Sequence, residues 1–326
     1  MALAYPGPTH MVGAPVIDVQ HLVKRYRRST ANAVDGISFA VAPGQLFSLL
    51  GPNGAGKTTT ISILTTTLMP TSGTVHISGH DLATHATEVR RQIGIVFQQP
   101  SLDVNLSAEE NVRFHAVLYG LHPWRPLYRL MPLDYRRRVR ELSELLGLES
   151  DMSKPVKSFS GGMRRKLEIV RTLMHRPRVL FLDEPTAGLD PESRRSLWSY
   201  LGEVRSRTDT TVFLTTHYLD ETEDADAICV LNRGRVVAQG SPSQVKARLV
   251  RPRLLVDARP QERDQLRSEL ERLGLQPEGH GPYLVRLDTV RPQVVIRSLG
   301  VELTQLEISG GTMEEAYLAL LASAGD

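Results

Sequence analysis

Apolar residues recur along this chain in two rhythms. One alternates with polar positions: VIDVQHLVKRY and AVDGISFAVAPG interleave aliphatic and hydrophilic residues as half-exposed strands do, with a turn between them. Short apolar runs at GQLFSLLG (44–51), RVLFLDE (178–184) and TTVFLTTH (210–217) predict further strands, as do GTVHISGH and RQIGIVFQ. The other rhythm is helical and dominates from Ser107 to about Met174, through SAEENVRFHAVLYG, LDYRRRVRELSELLG and FSGGMRRKLEIVRTLM. In the last of these, Met163, Leu167, Val170 and Met174 are spaced to bury one face, and Ser160 stands where a helix cap belongs. The helix PESRRSLWSYLGEVRSR lies between two of the apolar runs, and such alternation predicts an α/β domain with a parallel sheet. A hairpin, AICVLNRGRVVAQG, and the helix SPSQVKARL close this domain near residue 250. From LLVDARP onward the order is strand, helix, strand, helix, strand, helix, enough for a small second α/β domain. The expected layout is a loose head over 1–15, a main domain over 16–250 with a helical part at about 105–176, and an accessory domain over 251–326.

Composition narrows the setting. A chain of 326 residues exceeds what one compact domain usually holds, and 41% apolar residues suffice for a buried core. The 39 basic and 36 acidic residues are mixed along the chain, so a nucleic-acid partner is permitted but not indicated, and none is expected. The single cysteine, Cys229, lies in the strand-like run ICVL and reads as a small buried hydrophobe; without a disulfide framework the chain suits a reducing cytoplasm. No window offers 18 apolar residues, and the proline-containing N-terminus lacks the apolar core of a signal peptide. The expected setting is cytosolic, with any membrane-spanning part supplied by another subunit.

The candidate chemistry concerns phosphate. GPNGAGKT, residues 51–58, follows an apolar strand and opens a helix, which is the context of a phosphate-binding loop. Gly51, Gly54 and Gly56 let the backbone approach a phosphate, Lys57 supplies a fixed cation, and the Thr58 hydroxyl can ligate Mg²⁺. RVLFLDEP places Asp183 at the end of an apolar strand, where a carboxylate would hold the metal, and Glu184 next to it, where a base could orient or deprotonate water. Gly161 and Gly162, at the start of a helix about a hundred residues after the 51–58 loop, offer bare amides for a second anion site.

Taken together, GPNGAGKTT, FSGGM and LDEPTAGLD resemble the ATP-binding cassette (ABC) ATPases that energise ABC transporters, over roughly residues 16–240. The resemblance implies the P-loop cassette fold: a parallel core sheet, an antiparallel β subdomain and a helical subdomain. It also implies that two copies pair head to tail, so that Ser160, Gly161 and Gly162 of one close over the ATP held by residues Gly51, Pro52, Asn53, Gly54, Ala55, Gly56, Lys57, Thr58 and Thr59 of the other. By the same resemblance Tyr26 stacks on adenine, Gln98 senses Mg²⁺ or water, His217 contacts the γ-phosphate, and Asp190 belongs to the loop that touches the partner copy. Asp183 then joins Thr58 and Gln98 around Mg²⁺, with Glu184 as catalytic base. Two departures from the usual glycine motif, Phe159 for leucine and Met163 for glutamine, leave Ser160, Gly161 and Gly162 intact. Met163 followed by Arg164 and Arg165, and a tail containing TMEEAYLALL, resemble the efflux branch typified by daunorubicin-resistance and other natural-product exporters. The implied partners are separate permease subunits and a second copy of the ATPase, on the cytoplasmic side of the cell membrane.

Other readings are weighed against that one. A soluble ABC ATPase acting on ribosomes would carry two cassettes in one chain, and one organising chromosomes would insert long coiled coils; neither feature is present. An importer ATPase would differ only in its permease. HISGHDLATH gathers His76, His80 and His85 near Asp81, which suggests a metal but is read as a solvated face. HPWRPLYRLMPLDYRRRVR interleaves aromatics with arginines, a pattern of nucleic-acid or headgroup contact. It falls in the helical part that meets the membrane subunit in relatives, and is read as a docking or solvated surface.

Overall fold

The computed structural model describes residues 13–250, 253–287, 291–309 and 312–323, so most of the predicted loose head lies outside the described residues. Two compact units divide the chain, 1–239 and 240–326. The first contains β1 (Ile17–Lys24), β2 (Val34–Val41), β3 (Leu46–Leu50), α1 (Lys57–Leu64), β4 (Ser72–Ile77), β5 (His80–Asp81), α2 (Ala86–Gln92) and β6 (Ile93–Val96). It continues through α3 (Ala108–Leu118), α4 (Leu133–Leu145), α5 (Gly161–Leu173), β7 (Val179–Asp183), α6 (Pro191–Thr208), β8 (Thr211–Thr216), β9 (Ala227–Asn232) and β10 (Arg235–Gly240). The second holds α7 (Pro242–Leu249), β11 (Arg253–Ala258), α8 (Arg263–Arg272), β12 (Pro277–Glu278), β13 (Tyr283–Arg286), α9 (Pro292–Ser298), β14 (Leu303–Ser309) and α10 (Met313–Ser323).

The strand patterns sort themselves by sheet. The alternating segments β1 and β2 pair antiparallel, and β4 joins them in a sheet ordered β2-β1-β4-β5. The continuous apolar runs β3, β7 and β8 are buried at every position. They form the centre of a second sheet, ordered β10-β9-β3-β8-β7-β6, in which β3, β6, β7, β8 and β9 run parallel. Strands covered on both faces need apolar residues throughout, whereas half-covered ones can alternate. Phe39 of β2 stacks on Phe47 of β3, which stacks on Phe213 of β8, which meets Phe181 of β7. One core therefore spans both sheets.

Helix starts are written in local chemistry. Ser107 and Glu110 exchange side-chain and backbone hydrogen bonds as a capping box for α3. Ser160 accepts from the Met163 amide to open α5, and Asp190 accepts from the amides of Glu192 and Ser193 to open α6, with Pro191 at its first position. The hairpin β9–β10 turns on Arg233 and Gly234, with φ of 47° and 77°, the left-handed pair that a two-residue hairpin loop requires. The predicted strand RQIGIVFQ is shorter than its sequence suggests: Arg91 and Gln92 end α2, and pairing begins at Ile93. In the second unit β11 lies between β13 and β14, antiparallel to both, over a core of its own centred on Leu254, Val256, Leu266, Leu270 and Val285.

Candidate nucleotide site

Because β3, β8, β7 and β6 are parallel neighbours, their C-terminal ends open on one edge of the sheet. Leu50 leads into the glycine loop, Asp183 ends β7, His217 follows β8, and Gln98 lies two residues past β6. Four separate stretches of sequence thus meet at the edge where open α/β sheets bind ligands.

The loop is shaped by steric need. Gly51, Gly54 and Gly56 have φ of 156°, 80° and 104°. A Cβ at Gly51 would stand 2.4 Å from the Leu231 carbonyl oxygen, and one at Gly56 would stand 2.5 Å from that of Ala33. Only glycine lets the loop close this tightly on its neighbours. Lys57, the first residue of α1, is buried, and its ammonium donates to the carbonyls of Gly51 at 2.7 Å and Pro52 at 3.3 Å. Burial lowers its pKa, opposed by the nearby charges of Glu184 and Asp183. No acidic residue occupies the first turn of α1, so the positive end of that helix is uncompensated.

Two carboxylates face this loop in different surroundings. Asp183 is buried, and its Oδ1 accepts from the Thr215 hydroxyl at 2.6 Å. Desolvation holds its carboxyl above the usual range, with the Thr215 bond acting in the opposite sense. Glu184 is the meeting point of the site: its Oε2 accepts from Gln98 Nε2 at 3.0 Å, while Oε1 lies 3.4 Å from His217 Nδ1 and 3.9 Å from Lys57 Nζ. Its backbone adopts φ 44°, a left-handed conformation costly for a residue with a side chain. The Glu184 amide is held there by the backbone oxygen and the hydroxyl of Thr215, at 3.1 and 3.0 Å.

Not all the predicted residues gather at one place. Tyr26 lies at the loop's flank, exposed, with its hydroxyl 3.3 Å from that of Thr59. Asn53, Gly54 and Thr58 are exposed, Pro52 and Thr59 half-buried, and Ala55 buried. Gly161 and Gly162 stand apart, where Cβ atoms would come within 3.5 Å of Leu189 and 2.8 Å of the Ser193 hydroxyl, beside Asp190 at the start of α6. Among the described residues no hydrogen bond or ion pair joins Ser160, Gly161 or Gly162 to residues 51–59. His76 lies 3.7 Å from Asp81 on a partly exposed strand, and the described residues contain no group of three or more metal-ligating side chains placed to hold an ion.

Two residues that sequence reasoning did not assign a role brace the site. Thr215 binds both carboxylate positions, and nothing in TTVFLTTH distinguishes it from its neighbours. Arg165, noted only as part of the Met-Arg-Arg run, is buried on α5 and donates to the carbonyls of Phe97, Gln98 and Pro185 while pairing with Glu168 at 3.0 Å. It fastens the Gln98 segment and the turn after Glu184 to the helix that begins at Gly161.

The arrangement fits a nucleotide with its metal. A glycine loop packed too closely on its neighbours to admit Cβ atoms at Gly51 and Gly56, a buried ammonium satisfied by backbone oxygens and a helix N-terminus with no acidic residue in its first turn suit polyphosphate. Thr58, Gln98 and Asp183 present oxygen donors only, the set a hard divalent cation takes.

Comparison with known proteins agrees with this geometry. Residues 34–187 match the family model described as ABC transporter. The chain is 36% identical over 328 residues to the daunorubicin/doxorubicin resistance ATP-binding protein DrrA of Streptomyces peucetius, covering 95% of this chain and 93% of that protein. It is 40% identical over 241 residues to the Nod factor export ATP-binding protein I of Ralstonia nicotianae, covering 74% and 71%. Among solved structures, CbiO1 of Clostridium perfringens, part of an ABC transporter complex, superposes with a TM-score of 0.64 at 29% identity over 80% of this chain and 97% of that one. A cassette solved as a dimer after hydrolysis, bound to ADP and phosphate, gives 0.60 at 25% identity over 69% and 98%. With a glycine loop, paired strand-end carboxylates and near full-length similarity to ATP-binding proteins, the chain belongs to the ABC transporter family as one of its ATP-binding, ATP-hydrolysing subunits.

Proposed function

We propose that this chain is the ATPase of an exporter, acting as a head-to-tail pair of copies on separate permease subunits at the cytoplasmic face of the membrane. The observation that carries it is the placing of the two candidate phosphate-binding parts: the Ser160–Gly162 helix start lies beside α6, and among the described residues no hydrogen bond or ion pair joins it to residues 51–59, which supports its use on a nucleotide held by another copy. The similarity to drug-resistance and Nod factor export proteins, which for DrrA covers nearly the whole chain, supports export over the other directions and substrates.

In this reading residues 51–59 wrap the phosphates, and Lys57 turns from the Gly51 and Pro52 carbonyls toward them. Tyr26 offers its exposed ring to the adenine. Thr58, Gln98 and Asp183 hold Mg²⁺, whose contribution when bound is to neutralise charge building on the phosphate oxygens. Glu184 takes or orients the proton of the attacking water, with Gln98 and His217 fixing its two oxygens. Ser160, Gly161 and Gly162 donate to the nucleotide of the partner copy, and Asp190 fixes the start of α6 beside them.

The test is Glu184→Gln. It retains the size of the side chain and removes the base, so ATP binding is expected to persist while turnover falls by about 10²-fold or more. A variant that hydrolyses ATP at the parent rate rejects the role given to Glu184.

A further inference from the structure

Between β6 and α3 the chain forms no regular element, and Phe97 to Ser101, the stretch that carries Gln98, is exposed. Exposed connections commonly leave their backbone polar groups to water and are mobile. This one is gripped by α5. Arg165 donates from Nη1 to the Phe97 carbonyl at 2.6 Å and from Nη2 to the Gln98 carbonyl at 3.0 Å. Glu168 Oε1 accepts the Ser101 amide at 2.9 Å, and Arg171 donates to the carbonyl and hydroxyl of Ser101 at 2.9 and 2.6 Å. The three gripping residues are spaced three apart on α5, positions that neighbour one another along a helix surface.

Packing alone does not account for these charges. Glu168 is fully buried and Arg165 is 5% exposed, and a buried ion pair commonly stabilises a fold no more than apolar residues of the same volume do. Apolar residues lack donors, however, and Arg165 uses all three of its nitrogens. Nε donates to the Pro185 carbonyl at 3.0 Å, while Glu168 Oε2 accepts from Nη1 at 3.0 Å and orients the guanidinium. One planar group therefore binds the carbonyl of Gln98 and that of Pro185, the residue after Glu184. It spans the two ends of the hydrogen bond that Gln98 Nε2 gives to Glu184 Oε2 at 3.0 Å.

We propose that Arg165, oriented by Glu168, is a positioning residue for ATP hydrolysis: it sets the placement of Gln98 against Glu184, and with it the aim of that carboxylate at the attacking water. It acts through these two residues and not on the nucleotide. It rests on the reading that Gln98 orients Glu184, and the two fail by different results.

The experiment is steady-state ATP turnover by the full chain. Arg165→Lys keeps the charge beside Glu168 and loses the planar fork, so kcat is expected to fall about tenfold or more, with KM for ATP within about twofold of the parent. Arg165→Met with Glu168→Leu removes both charges and leaves neither unpaired; its urea midpoint is expected to match the parent's while kcat falls by a similar factor. Gln98→Ala is expected to slow turnover by itself. Adding Arg165→Lys to Gln98→Ala should then cost no more than about twofold further, because the side chain being positioned is gone. A residue that only braces the fold would cost the same factor in both backgrounds. Equal losses with and without Gln98, or parent turnover in either Arg165 variant, overturn the proposal and leave the role of Gln98 standing. Unfolding of both Arg165 variants assigns the residue to the fold and overturns it as well. Parent turnover in Gln98→Ala alone overturns the role of Gln98, and the positioning with it.

Discussion

At residue scale the site is organised by one threonine as much as by its carboxylates. Thr215 donates to Asp183 and receives the amide of Glu184, so a single side chain positions a buried charge and supports a strained backbone. Thr215→Val keeps the shape and removes the hydroxyl. Asp183 then loses a hydrogen bond to a charged group, and stability in urea unfolding is expected to fall by about 1.5–3 kcal/mol, with turnover reduced. A variant as stable and active as the parent would show that the bond is dispensable. The candidate phosphate loop was legible because it carries its own signature: glycines at fixed offsets, then Lys57. Thr215 and Arg165 were not, because their roles are contacts across 31 and 68 positions of the chain.

At element scale α3 and the end of α5 bring together a pair of half-buried imidazoles. His115 and His175 lie 6.3 Å apart, with the Tyr119 ring stacked on His175, and Arg171 nearby. Burial, then the charges of Arg171 and His175, push the His115 pKa from 6.5 down to about 3. The sign follows: the folded value lies below the unfolded one, so the fold favours the neutral ring. The contribution is intact above pH 6.5 and is lost progressively as pH falls from there toward about 3. His115→Leu is expected to flatten the decline in unfolding free energy between about pH 6.5 and 5 by as much as ~1.4 kcal/mol per pH unit. A variant with the parent slope would place the titration elsewhere. The helix boundaries here were readable from Ser107 and Ser160, since caps act within three residues, but which faces meet was not.

At the scale of the whole molecule, ATP hydrolysis in this reading becomes movement only if two copies share a nucleotide. Turning an equilibrium of separated and closed pairs from 1:99 to 99:1 takes about 5.5 kcal/mol of differential binding. Contacts made by Gly161 and Gly162 only in the closed pair are the proposed source. In a Glu184→Gln background, light scattering with MgATP is therefore expected to report a dimer, and Gly162→Asp to return it to monomer. A Cβ at Gly162 would meet the Ser193 hydroxyl at 2.8 Å, so the same substitution is also made with Ser193→Gly to relieve that contact. A dimer that survives in both forms rejects the shared site.

The sequence by itself determined the parts whose physics is local. Alternating and continuous apolar runs separated half-covered from fully covered strands, caps set helix starts, and glycine spacing marked the candidate phosphate loop. Tertiary structure alone decided which distant groups act together. Parallel pairing of β3, β8, β7 and β6 brings four strand ends to one edge, and that pairing is a matter of long-range burial, which no local pattern encodes. It also decided that the start of α5, proposed here as a second phosphate-binding element, packs beside the start of α6, because Gly161 and Gly162 stand against Leu189 and Ser193.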